Sequence, residues 1–108
     1  RRNCAYLSLA AEALLAASPD ARLVADHAIP VSLSLREFEC LEQPSLDALV
    51  ALVARYAVMV LITLDEDARL RAAGLVKAMP SDWDGQELLA RYRQVGIPIK
   101  PGQALQLK

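Results

Sequence analysis

Two short stretches of this sequence carry side chains that could perform acid–base or metal chemistry. The first is the pair Asp26 and His27, and the second holds Asp65 and Asp67. An imidazole can act as a general base near neutral pH, and carboxylate oxygens are ligands for hard divalent cations. A metal-dependent site would use Asp26, His27 and Asp65 as catalytic residues, with Asp26, Asp65 and Asp67 as metal ligands. Such a site requires the two stretches to meet in space, because a metal ion collects ligands from several segments.

The first stretch, Asp26-His27-Ala-Ile-Pro30, resembles the Asp-His-x-x-Pro opening of the HNH nuclease motif. This resemblance implies that His27 is a general base and that Asp26 holds a metal ion. The later asparagine and histidine of that motif have no counterpart, since His27 is the only histidine and Asn3 the only asparagine. An Asp-His pair shortly before a proline is also typical of a turn or a helix cap, in which the carboxylate accepts hydrogen bonds from helix amides. We favour this structural interpretation.

The second stretch follows an apolar run at Val58–Thr63. Its Thr63-Leu-Asp65 segment is similar to the late Thr-x-Asp motif of PIN-type ribonucleases, which implies that Asp65 reaches a shared divalent ion. Asp26 would be the converging ligand if its own segment lies beside the apolar run. Thr63 and Glu66 also have the spacing of a capping box, in which each side chain satisfies a backbone N–H at a helix start. We favour helix capping here.

Four arginines form two pairs that could contact phosphates or stack on bases, namely Arg69 with Arg71 and Arg91 with Arg93. A spacing of two places the members of each pair on different faces of a helix. Acidic residues lie nearby in the sequence as ordinary ion-pair partners. The sequence therefore predicts that all four arginines belong to a solvated, charged surface.

The composition describes one globular domain, residues 1–108, with no basic excess. Hydrophobic residues make up 55% of the chain and the net charge is −1, so nothing electrostatic favours nucleic acid as a partner. A domain this small buries only about two-thirds of its surface, so an apolar fraction this high predicts an exposed patch and a protein partner or homo-oligomer. The longest apolar run, at 57–64, is too short to span a membrane, and the cytoplasm is the expected compartment.

The two cysteines and the single histidine are too few for a four-ligand zinc site. Cys4 and Cys40 both lie in apolar patterns, which are typical of small buried thiols rather than of a disulfide. No cofactor-binding motif occurs, and we expect no cofactor.

Apolar spacing and breaker residues divide the chain into helices and strands. Val31–Leu35 alternates like a strand, but the length of the pattern that continues from it favours a helix. The predicted elements are a helix that includes Tyr6 and ends at Ala17, a short strand at 21–26, a helix opened by Pro30, a helix capped by Ser45, a buried strand at Val58–Thr63, a helix from Asp65 to Gly74, a helix from Asp84 to Gly96, and an edge strand within 97–107, where the apolar residues alternate at the end.

These elements predict an α+β fold, a small helix-rich domain with four or five helices around a small sheet and one buried central strand. The function that this fold and the incomplete motifs favour is a soluble protein-interaction or regulatory module without catalytic activity. The alternatives are a metal-dependent nuclease, built on the HNH-like or PIN-like segments, and a nucleic-acid-binding accessory protein.

Overall fold

A computed structural model describes residues 4–39 and 45–101, and it has the predicted α+β architecture. Within these residue ranges the chain forms a four-stranded mixed sheet and five helices. The strands are β1 (Tyr6–Ser8), β2 (Leu23–His27), β3 (Met59–Thr63) and β4 (Ile99–Pro101), and their order in the sheet is β2-β3-β1-β4. The helices are α1 (Leu9–Ala17), α2 (Val31–Glu39), α3 (Leu46–Tyr56), α4 (Leu64–Ala72) and α5 (Ala90–Gln94).

The predicted buried strand is confirmed as β3, which has neighbours on both sides. It pairs in parallel with β1 and antiparallel with β2, and Val60, Leu61 and Ile62 at its centre are buried. A run of consecutive apolar side chains suits this position, because both faces of an inner strand are covered. The core around it is formed by Ala28, Val60, Ile62, Leu70, Leu75, Tyr92 and Ile97.

The amino end of the described chain corrects one prediction. Tyr6 and Leu7 share a helical spacing with α1, yet they form β1, the other inner strand, opposite Val60 and Leu61 of β3. The helix begins only after Ser8, whose hydroxyl accepts a hydrogen bond from the Ala11 amide. A strand of three residues is too short to show a period of two, so helical spacing dominates the sequence pattern.

Two of the predicted helix caps are confirmed. Ser45 accepts the amide of Ala48 at the start of α3, and Thr63 and Glu66 form a reciprocal capping box at the start of α4. Glu66 also accepts a hydrogen bond from the Ser8 hydroxyl at 2.5 Å, which ties α4 to β1. These caps satisfy amides that a helix end leaves without a backbone partner.

The last helix is shorter than predicted. Asp84 accepts the amides of Gln86 and Glu87, and these hydrogen bonds lower the pKa of its carboxyl, but they close a turn instead of opening the predicted helix. Gly85 has a φ of +83°, which a right-handed helix does not accommodate, and α5 starts only at Ala90.

Two further predictions concern the cysteines and the chain end. Cys4 is a free, buried thiol, and burial raises its pKa. Cys40 and residues 102–108 lie outside the described residues. The described part of the carboxyl end forms β4, which has the predicted edge position, and the structure pairs it antiparallel with β1. None of the helices among the described residues combines the length and apolarity that a membrane span needs.

Candidate functional site

A buried arginine holds together the segments around the carboxyl end of β2. Arg91 on α5 is 1% exposed. Its Nε donates to the carbonyl of Ala28 at 3.2 Å, and its Nη1 donates to the carbonyl of Leu75 at 2.6 Å. Nη2 donates to the carbonyl of His27. The guanidinium therefore fixes the chain that leaves β2 against the segment that follows α4.

The same guanidinium compensates the charge of Asp26. The carboxylate of Asp26 accepts hydrogen bonds from Arg91 Nη2 and, at 2.5 Å, from the Tyr92 hydroxyl. Burial and the neighbouring negative charge of Asp26 raise the pKa of the Tyr92 phenol, which keeps it in the donating, protonated form. Both donors use Oδ2, so this oxygen is engaged in a structural contact rather than held ready to take a proton.

These contacts correct two predictions. The favoured structural role of Asp26 was a turn or helix cap, whereas its partners here are the side chains of Arg91 and Tyr92. Arg91 was placed on a charged surface with the other arginines, and it is almost fully buried. The prediction does hold for Arg71, which pairs with Asp67 at 2.9 Å, and for the exposed Arg93.

Sequence spacing gave little sign of the buried position of Arg91. Ala90, Arg91 and Tyr92 are consecutive, and all three are buried. Three neighbours on a helix point in different directions, so a search for one apolar face cannot find them. They are covered because α5 is a helix of only five residues, and the residues after β2 and after α4 pack around it.

The structure places the second acidic stretch away from Asp26. In the antiparallel register of β2 and β3, Asp26 lies opposite Val60, whereas Leu23 lies opposite Thr63. Asp65 lies two residues after Thr63, beyond this far end of β3, and it is exposed. Among the described residues, no group of three His, Cys, Asp or Glu side chains could hold a metal ion. The convergence that the metal site requires is therefore not formed by these residues.

A cavity lies next to the Arg91 cluster, and we call it the β2–α2 pocket. Its volume is about 340 Å³, and it lies between the end of β2, the first turn of α2 and the segment after α4. The hydroxyl of Ser32 donates to the carbonyl of Lys77 across this gap at 3.4 Å. The lining residues are Asp26, His27, Pro30, Val31, Ser32, Val76 and Lys77.

The outer face of α3 carries three of the exposed large hydrophobic side chains. Leu46, Val50 and Val53 are 77%, 59% and 56% exposed, and they recur at the four- and three-residue steps of one helical face. Ala54 and Ala57 continue this face toward the carboxyl end of the helix. The helix itself was predicted correctly, but its apolar residues divide between an inner face against α2 and this exposed face.

Comparison with protein-family models, with curated proteins and with solved structures finds no match. The function therefore has to follow from the chemistry of the chain itself. Two features of the described residues are candidates for binding, the β2–α2 pocket and the exposed face of α3.

Proposed function

We propose that this chain is a non-catalytic protein-interaction module that associates with a second copy of itself through the outer face of α3. The observation that carries the proposal is the row of large, exposed aliphatic side chains at Leu46, Val50 and Val53. Burial of such side chains releases roughly 25 cal/mol per Å² of apolar area, whereas their exposure to water brings no compensating contact.

The charges on α3 favour an antiparallel pair of helices. Asp47 is the only charged residue among the exposed positions of α3 and lies in its first turn. A parallel pair would bring two Asp47 carboxylates together, whereas an antiparallel pair separates them. The small side chains of Ala54 and Ala57 allow two helices to approach closely at this face.

Light scattering over a wide concentration range tests this proposal. We expect the parent chain to shift from monomer to dimer as its concentration rises. Val50→Glu should stay monomeric, because a dimer would bury two carboxylates without partners. Leu64→Glu is the matched control, since Leu64 is a similarly exposed aliphatic residue on α4, and it should dimerise like the parent. A parent chain that is monomeric at every concentration, or equal dimerisation of both variants, would contradict the proposal.

The metal-dependent nuclease is not the function we propose. Asp26 lines a pocket with His27, but its carboxylate is engaged by Arg91 and Tyr92, and Asp65 lies beyond the other end of β3. The absence of catalysis and the cytoplasmic compartment stay predictions, and a nucleic-acid-binding accessory protein stays an alternative that the composition does not favour.

A further inference from the structure

The polar side chains around the β2–α2 pocket carry one positive charge in excess. Among the described residues, no carboxylate lies within 4 Å of the Lys77 ammonium. The carboxylate of Asp26 also lines the pocket, but Arg91 forms an ion pair with it through a side chain that is almost completely buried. Because these two charges compensate each other, Lys77 dominates the electrostatics of the pocket.

The pocket also offers neutral hydrogen-bond donors beside this charge. The described residues place no partner on the ring of His27, and a neutral imidazole always has one N–H to donate. Arg91 holds the backbone of His27 through its carbonyl, so the ring is attached to a fixed segment. The imidazole and the ammonium are thus two donors that a ligand in the pocket can reach.

The remaining wall of the pocket is apolar. Pro30, Val31 and Val76 contribute hydrocarbon surface on the side of α2 and of the segment after α4. The volume of about 340 Å³ is at the lower end of the range for small-molecule sites. A ligand that fits is small and combines a charged group with a carbon skeleton.

We propose that the β2–α2 pocket binds a small organic anion. Its negatively charged group accepts hydrogen bonds from Lys77 and His27, and the ion pair with Lys77 supplies the preference for charge. Its carbon skeleton packs against Pro30, Val31 and Val76. This binding does not depend on association through α3, because the pocket is complete within one copy of the chain.

The test uses benzoate as the probe and benzamide as its neutral counterpart of the same shape. Nuclear magnetic resonance titration of the isotope-labelled chain follows the amide signals. We expect benzoate to cause saturable shifts centred on His27, Ser32 and Lys77, and benzamide to bind about tenfold more weakly, the loss expected when a charged hydrogen bond becomes neutral.

Two lysine variants test whether the positive charge that attracts benzoate is that of Lys77. Lys77→Met should lower the affinity for benzoate by about tenfold and leave the affinity for benzamide unchanged. Lys100→Met is the matched control, because Lys100 lies on β4 at the opposite edge of the sheet and pairs with Glu12 at 2.7 Å. This control should bind benzoate like the parent chain. His27→Phe, which keeps a ring but has no N–H, should also weaken benzoate binding.

Three results would overturn the proposal. Equal affinity for benzoate and benzamide would show that the pocket does not select charge. Equal effects of the two lysine variants would show that the attraction is not local to Lys77. Benzoate shifts that do not saturate, or that centre on another part of the chain, would show that the pocket is not the binding site.

Discussion

The end of β2 and the outer face of α3 differ in which groups are buried: a charged group is buried at the first, and apolar groups are exposed at the second. At the end of β2, the guanidinium of Arg91 is buried, and each of its three nitrogens donates a hydrogen bond. On α3, branched aliphatic side chains such as Leu46 and Val50 lie in water. In the first region, hydrogen bonds and an ion pair within the chain compensate the buried charge. In the second, the described residues leave apolar surface exposed to water.

This contrast separates residues that build the fold from residues available for binding. A buried ion pair whose hydrogen bonds are satisfied stabilises one arrangement of segments, and removal of one partner exposes the full cost of burying the other. Replacement of an exposed aliphatic side chain should change the stability of the isolated chain little, because that side chain makes few contacts. Substitutions in the two regions should therefore differ in kind, with large changes in stability at the first and changes in association at the second.

The largest expected effect is at Arg91. Arg91→Met should reduce the free energy of unfolding by about 3–5 kcal/mol, because it leaves Asp26 partly buried without its cation. Urea denaturation measures this loss. Arg93→Met on the same helix is the control, and it should leave the urea midpoint close to that of the parent chain, since Arg93 forms an exposed ion pair. Equal losses in the two variants would show that Arg91 does not hold the fold together.

The double replacement Arg91→Met with Asp26→Leu sharpens this test. With both charges removed, no uncompensated ion stays in the interior, and part of the lost stability should return. A double variant less stable than Arg91→Met alone would show that Asp26 has stabilising partners beyond this cluster.

A second comparison concerns the loss of stability when a large aliphatic side chain is removed from the sheet or from α3. Ile62→Ala should cost about 2–5 kcal/mol, the range for removal of a large, fully buried aliphatic group. From sequence alone the same cost is expected for Leu52→Ala, because both residues lie in strongly apolar stretches. The structure leaves Leu52 on α3 only half-buried, so its replacement should cost less. Equal denaturation midpoints for the two variants would contradict this ranking.

The buried phenol of Tyr92 predicts a dependence of stability on alkaline pH. In the unfolded chain tyrosine ionises near pH 10, and in the folded chain burial raises the pKa of Tyr92 above this value. The unfolded state therefore loses its proton first, and stability should fall as pH rises above about 10, by up to about 1.4 kcal/mol per pH unit.

Urea denaturation between pH 8 and 11 measures this slope, with Tyr92→Phe as the reference. The variant lacks the phenol, so its stability should decline less over the same pH range. Parallel curves for the two proteins would assign the alkaline sensitivity to other groups.

The smallest expected effect is that of divalent cations. Calorimetry with Mg²⁺ or Mn²⁺ should give no saturable binding, because β2 and β3 place Asp26 and Asp65 toward opposite ends of their ladder. Saturable binding that is lost in both Asp26→Ala and Asp65→Ala, with unchanged melting temperatures, would establish the metal site and contradict the non-catalytic function.

Elements that depend on neighbouring residues are predictable from the sequence. Ser45 caps α3, and Thr63 with Glu66 caps α4, through hydrogen bonds that span three residues. The apolar run of β3 marks a covered strand wherever it lies in the fold. Such features are predictable because the interactions that form them lie within one turn of helix or one strand.

Contacts between distant segments set which polar groups are buried and which side chains meet. Tyr6 and Leu7 become an inner strand because β3 lies beside them, more than fifty positions away in sequence. Arg91 becomes a structural centre because Asp26 and Leu75 reach it from distant segments. The antiparallel register of β2 and β3 separates the two acidic stretches. These outcomes depend on contacts between distant segments. The packing of the whole chain sets where those segments lie, so the local spacing of residues does not predict the contacts.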